Sequence, residues 1–177
     1  MEILRLIREF VATPPRTEYG KEPEGQSKPV SPDTIAAVEA QLGFKLPITL
    51  SRIYTEIANG DVGPGYGIFP VHDEPEMNDL VDMFRYCIEG NGQVPNWNWP
   101  STLLPFVSHG SGIYECIDCS VPMYPVIVHN PDYLDDSGFQ SSLAPLASTI
   151  DERLLAWVKN QDLIAAAKLR FGTIGLH

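Results

Sequence analysis

The chain has 177 residues, 44% of them hydrophobic and 20% charged, with a formal net charge of -11 and a pI near 4.6. That supply of apolar residues builds one globular core and excludes wholesale disorder. The acidity excludes the basic footprint of a nucleic-acid binder and disfavours anionic membrane surfaces, and no apolar run approaches the roughly 20 residues of a membrane-spanning helix.

In chain order, Ile3, Leu6, Ile7, Phe10 and Val11 recur at helical spacing over residues 2–12, and Thr13-Pro14-Pro15 ends that helix. The N-terminal stretch lacks a basic-then-apolar layout with a small-residue cleavage site, so the expectation is a cytoplasmic protein. Residues 16–30 are polar and aperiodic and read as a linker. Ser31-Pro32-Asp33 then opens a helix with a hydroxyl cap, a proline at the first position and a carboxylate in the first turn. Ile35, Val38 and Leu42 form its apolar face and Gly43 stops it. A second helix starts at Leu46-Pro47, carries Leu50, Ile53, Tyr54 and Ile57 on one face, and ends at Asn59-Gly60.

Tyr66 to Val71 reads as a strand, followed by an acidic loop from His72 to Asp79 and a helix through Leu80, Val81, Phe84 and Ile88. Residues 90–101, with Asn96-Trp97-Asn98-Trp99-Pro100, read as irregular. Three strands follow: one through Leu103, Leu104, Phe106 and Val107, one over Ile113 to Asp118, and one over Tyr124 to His129. Gly110-Ser111-Gly112 turns the first into the second, which predicts an antiparallel meander. After a polar loop over Asn130 to Ser142, Ser148-Thr149-Ile150-Asp151-Glu152 is a capping-box pattern for a helix through Leu154, Leu155 and Val158. A further helix is predicted over residues 162–171.

The residues offer no strong catalytic pattern. Cys116-Ile117-Asp118-Cys119 has CxxC spacing, but no second CxxC completes a zinc site, and strand alternation separates the two thiols unless a turn intervenes. The third cysteine is Cys87. His72, Asp73 and His129 could be combined into a metal site only by assuming their proximity, since no HxxxH or HExxH spacing is present. Ser108-His109-Gly110-Ser111-Gly112 lacks the GxSxG elbow and its following helix, so it reads as a turn. Gly63, Gly65 and Gly67 lack the Lys-Ser/Thr of a phosphate loop. No cofactor is expected.

Two features suit recognition of a protein. Asp73, Glu74, Glu76 and Asp79, extended by Asp132, Asp135 and Asp136, form candidate acidic contacts that would steer a basic partner. Trp97 and Trp99 are candidate aromatic anchors, with burial under the loop as the alternative.

The ordered set of a capped helix with Glu39, Leu46-Pro47, Asn59-Gly60, Leu104-Pro105-Phe106, Gly110-Ser111-Gly112, Tyr114-Glu115-Cys116-Ile117-Asp118 and Pro125-Val126-Ile127-Val128-His129 resembles the SUKH superfamily, of Smi/Knr type. The resemblance covers roughly residues 31–160, leaving 1–30 as an N-terminal helix and polar linker and 161–177 as a C-terminal helical extension. It implies a single α+β domain, a twisted antiparallel sheet packed with helices. It also implies a non-catalytic protein-binding module, most readily an immunity protein that neutralises a bacterial toxin with a basic domain. A regulatory scaffold of the cell-wall-regulator type is the alternative, and an enzyme with an unfamiliar site the third reading. Many members carry an acidic residue after the glycine turn, where this chain has Ile113. An acidic residue recurs in the family at Glu39, read here as a surface or capping carboxylate that holds a neighbouring backbone group or an Arg, with direct partner contact as the alternative.

Overall fold

A computed structural model describes residues 2–12, 27–161 and 163. The stretch 13–26 and the expected helix over 162–171, Leu163 apart, lie outside the described residues. Within the described residues, five α-helices and a four-stranded antiparallel sheet form an α+β domain. The strands β1 (Leu103–Gly110), β2 (Ile113–Asp118), β3 (Val126–His129) and β4 (Leu143–Ala147) lie side by side in chain order. Leu104 faces Ile117, Cys116 faces Ile127, and Val128 faces Ala144.

The helices begin where the side chains can cap them. In α2 (Pro32–Leu42) the Ser31 hydroxyl accepts the Thr34 N–H, and Gly43 closes the helix in the left-handed region with φ 81°. The Asp79 carboxylate caps α4 (Leu80–Glu89) through the Asp82 N–H. Thr149 caps α5 (Ile150–Val158) through the Glu152 N–H, while the Glu152 carboxylate returns to the Ser148 N–H. Glu39 accepts the Leu46 N–H at 3.0 Å and pairs with Lys45, so its carboxylate fixes the entry to α3 (Ile48–Glu56).

Strand alternation divides the core. Ile113 and Ile117 of β2, Val126 and Val128 of β3, and Ala144 and Leu146 of β4 turn to one face and join Ile35, Val38, Leu50, Ile53, Phe84 and Leu154 from the helices. The helix α1 (Glu2–Ala12) buries Ile3, Leu4 and Ile7 in this same layer, packed against α5 and α3. Each such side chain contributes roughly 1.5–3 kcal/mol on burial, so α1 is part of the core. On the opposite face, Tyr114, Cys116, Leu103 and Leu143 meet Cys87 of α4, Trp99 and Phe139. That second layer is closed by one side of α4 together with the loop that carries Trp97 and Trp99.

Two sequence expectations change. Residues 66–71 do not form a strand. Only Ile68 bridges to Val107, flanked by hydrogen bonds from the Tyr66 N–H to the Ser108 carbonyl and from the Phe69 N–H to the Phe106 carbonyl. Beyond Phe69 the Asn59 side chain takes over, donating to the Val71 carbonyl at 2.9 Å and accepting its N–H at 2.8 Å. The preceding turns bring Gly65 so near β1 that a Cβ there would lie 2.5 Å from the Ser108 carbonyl oxygen. The second change is β4, an edge strand through Leu143-Ala144-Pro145-Leu146-Ala147 that the sequence reading does not contain.

Candidate functional site

Among the described residues, a deeply buried ion cluster lies where α5 meets the helical face of the sheet. Glu115 is fully buried on the β2 face that also carries Ile113 and Ile117. Arg153 of α5, itself 4% exposed, donates to it from Nε and Nη2, each at 2.7 Å, and the His109 ring lies 2.8 Å from Oε1. Burial pushes the Glu115 carboxyl up, but the bonds from His109 and Arg153 outweigh it and hold it below the usual carboxylate range. Both carboxylate oxygens are engaged, so this cluster ties α5 to the sheet and has no free group for chemistry. His109 is thus bound to Glu115 at the end of β1, and the hairpin turn into β2 is Ser111-Gly112, with Ser108 to Gly110 paired in the strand.

The opposite face holds an aromatic cage around His129. Its ring stacks between Tyr114 at 6.3 Å and Phe139 at 5.5 Å and meets the edges of Trp97 and Trp99 at 5.1 and 5.0 Å. Burial lowers its pKa to about 4, countered only weakly by the nearby Gly112 backbone; neither ring nitrogen reaches hydrogen-bond geometry. His129 is thus held neutral within the fold, while His72 sits 3.5 Å from Asp79 in another part of the chain. Among the described residues no group of three His, Cys, Asp or Glu side chains could hold a metal ion. Cys116 is buried in β2 and Cys119 lies in the turn beyond it. Burial drives the Cys116 thiol well up and the Cys87 and Cys119 thiols to about 12.

The candidate recognition residues distribute along α4. At its N-terminal end, Asp73, Glu74 and Glu76 are exposed. Asp79 is fully buried and spent on the N–H groups of Glu76 and Asp82, so its carboxylate serves the fold. At the C-terminal end, about 15 Å away along a ten-residue helix, residues 90–98 fold back over Cys87. Trp97 is half-buried, and its indole N–H donates to the Cys87 carbonyl at 2.7 Å. Trp99 is 2% exposed and donates to the Leu103 carbonyl, which makes it core. Asp132, Asp135 and Asp136 are exposed, and Asn96 joins Asp136 to this end across 3.5 Å. Asp135 accepts from the Ser137 N–H and hydroxyl, which holds its carboxyl below the usual range.

Sequence reasoning missed the surface between these ends. The outer side of α4 presents Asp82, Arg85, Tyr86 and Glu89, with Tyr86 64% exposed. Beyond it, Tyr86, Glu89, Gly90, Gln93, Val94 and Trp97 line a groove of about 280 Å³. The i, i+3, i+4, i+7 spacing of Asp82, Arg85, Tyr86 and Glu89 was the available signal, since Tyr86 falls on the polar side of an amphipathic helix. The first acidic loop thus leads into α4, the aromatic groove lies at its far end, and Asn96 links that end to Asp136 of the second acidic loop.

A single antiparallel meander with a helical layer on one face and α4 with an aromatic loop against the other is an α+β domain. Residues 29–155 match the SMI1 / KNR4 family (SUKH-1), and the chain belongs to that family, whose members bind protein partners and are generally non-enzymatic. Comparison with curated proteins finds no match. No helix among the described residues is long and apolar enough to cross a membrane.

Proposed function

We propose that this protein is an immunity-type binding module that neutralises a bacterial toxin by covering a basic surface of it, and that it acts in the cytoplasm. The surface along α4 carries the reading. Exposed carboxylates at Asp73, Glu74 and Glu76 precede α4, and Asp136 is tied by Asn96 to the loop that bears the aromatic groove at its other end, on a chain with a net charge of -11. Charge of this kind accelerates encounter with a cationic domain, and an aromatic centre supplies the anchor that slows release. The buried ion cluster and the aromatic cage are engaged within the fold, whereas the α4 surface joins exposed charge to an exposed aromatic groove.

The test is protection and binding together. Co-expression with each basic toxin domain encoded by the source cells should restore growth for one of them, and the purified pair should bind with an association rate that falls as salt rises. Asp73→Lys, Glu74→Lys and Glu76→Lys combined should slow association at least about tenfold. Absence of protection against every such domain, with stable capture of endogenous proteins instead, would replace this reading with the regulatory scaffold the family also accommodates.

A further inference from the structure

Building on the protein-binding role proposed above, we infer that the groove at the C-terminal end of α4 seats one arginine side chain of the basic partner, held against Tyr86 and Trp97 with its guanidinium at Glu89. Four observations converge there. The groove is mainly apolar and aromatic, with Val94 47% exposed and Tyr86 64% exposed, so it shows water two large side chains that the fold leaves uncovered. Its charged lining residue is Glu89. It sits at the end of a helix, where the carbonyl dipoles sum to a partial negative charge, and the last turn of α4 carries no basic residue to offset it. Asp136 stands at its margin through Asn96.

A glutamate on a helix C-terminus is electrostatically unfavourable by itself, because carboxylate and dipole repel. A cation in the groove removes that repulsion. Among the described residues, Arg85 is the cation beside this surface; it lies one turn back and donates to Gln41 Oε1 at 3.2 Å on the α2 side. Arginine fits better than lysine. Its planar guanidinium stacks on aromatic faces, is weakly hydrated, and can bond a carboxylate through two N–H groups. The volume, about 280 Å³, lies just under the lower end of small-molecule sites, roughly 300 Å³, and matches a single inserted side chain.

Gly90 is what opens the groove. Its φ is -62°, which any residue adopts, so conformation does not require glycine. Space does: a Cβ would stand 2.7 Å from Trp97 Nε1 and 2.9 Å from Cδ1. With glycine, the indole lies directly on the helix end and forms the wall of the groove.

The test uses the full chain and three peptides, acetyl-Gly-Arg-Gly-amide and its lysine and citrulline counterparts, with the Trp97 indole N–H followed by NMR. The arginine peptide should shift that resonance in a saturable way. Lysine should bind about threefold more weakly, and citrulline, which keeps the shape and loses the charge, should leave the resonance in place. Tyr86→Ala and Glu89→Gln, both at exposed positions, should each weaken the arginine peptide by about three- to tenfold, with a melting temperature that does not fall. An unmoved indole, an equal response to citrulline, or indifference to Glu89→Gln would overturn the assignment. If a toxin domain binds as tightly to the Tyr86→Ala/Glu89→Gln protein as to the native one, the groove assignment alone falls. If the groove takes arginine while no toxin domain binds, the immunity reading alone falls.

Discussion

Replacing Arg153 with leucine removes two of the three hydrogen bonds to a carboxylate that has no access to water. Glu115 would keep only the His109 ring at 2.8 Å. Breaking a buried pair on one side costs about 3–5 kcal/mol, because the remaining charge stays desolvated, and a cost near the middle of that range is expected since His109 remains. Glu115→Met combined with Arg153→Leu removes both charges and should restore stability relative to Arg153→Leu alone, giving a coupling energy of at least about 2 kcal/mol in the cycle. Urea unfolding followed by tryptophan fluorescence and far-ultraviolet circular dichroism measures all four proteins. The pH dependence adds a second sign. In native protein the Glu115 carboxyl is held low, so its contribution is present at neutral pH and lost as pH falls through that lowered value. In Arg153→Leu the carboxyl is stranded and its folded pKa moves above the unfolded one, so the deficit should narrow between pH 7 and pH 5. A loss under about 1 kcal/mol, additive single changes, or a deficit that widens toward pH 5 would refute the view that this pair locks α5 to the sheet.

Three further outcomes are expected. The His129 ring titrates near 4 in the fold against 6.5 ordinarily, so the unfolded chain binds the extra proton between those values. Stability should fall by about 3 kcal/mol as pH drops across that window, and His129→Phe should flatten this part of the acid limb in denaturant titrations. Gly90→Ala forces the Trp97 indole off the helix end and breaks its bond to the Cys87 carbonyl, costing about 1–3 kcal/mol, with a red-shifted tryptophan emission as the readout. Cys87 and Cys116, buried with raised pKa values, should react with a disulfide reagent only as fast as the chain opens, and labelling at the rate of a free thiol would contradict their burial.

Helix ends were the most legible part of the chain because capping is local. Ser31, Gly43 and Thr149 each declare a boundary within four residues. The three strands around Gly110-Ser111-Gly112 were legible for the same reason. Residues 66–71 misled because Tyr66, Ile68, Phe69 and Val71 have strand-like chemistry, while the backbone partner of Val71 is a side chain, Asn59, which periodicity does not reveal. The strand β4 escaped because Pro145 interrupts its pattern. The Glu115–Arg153 pair spans 38 residues, so no local motif contains it. A signal existed nonetheless: Glu115 occupies an inward position between Ile113 and Ile117, and Arg153 follows Ile150 by three on the apolar side of α5. Two opposite charges on two apolar faces imply that they meet. Of the acidic candidates, Asp79 could not be told from its exposed neighbours by composition, since its burial follows from capping α4.

The way the sheet ends has a consequence for how anything can attach to it. On the outer side of β1, the chain from Tyr66 to Phe69 already takes the hydrogen-bonding positions of Phe106 and Ser108. On the outer side, β4 carries Pro145, which has no N–H to offer. Pro145 and the engaged Phe106 and Ser108 carbonyls each remove a pairing position at a border of the sheet, which disfavours edge-on addition of a foreign extended segment or of an identical copy at those positions.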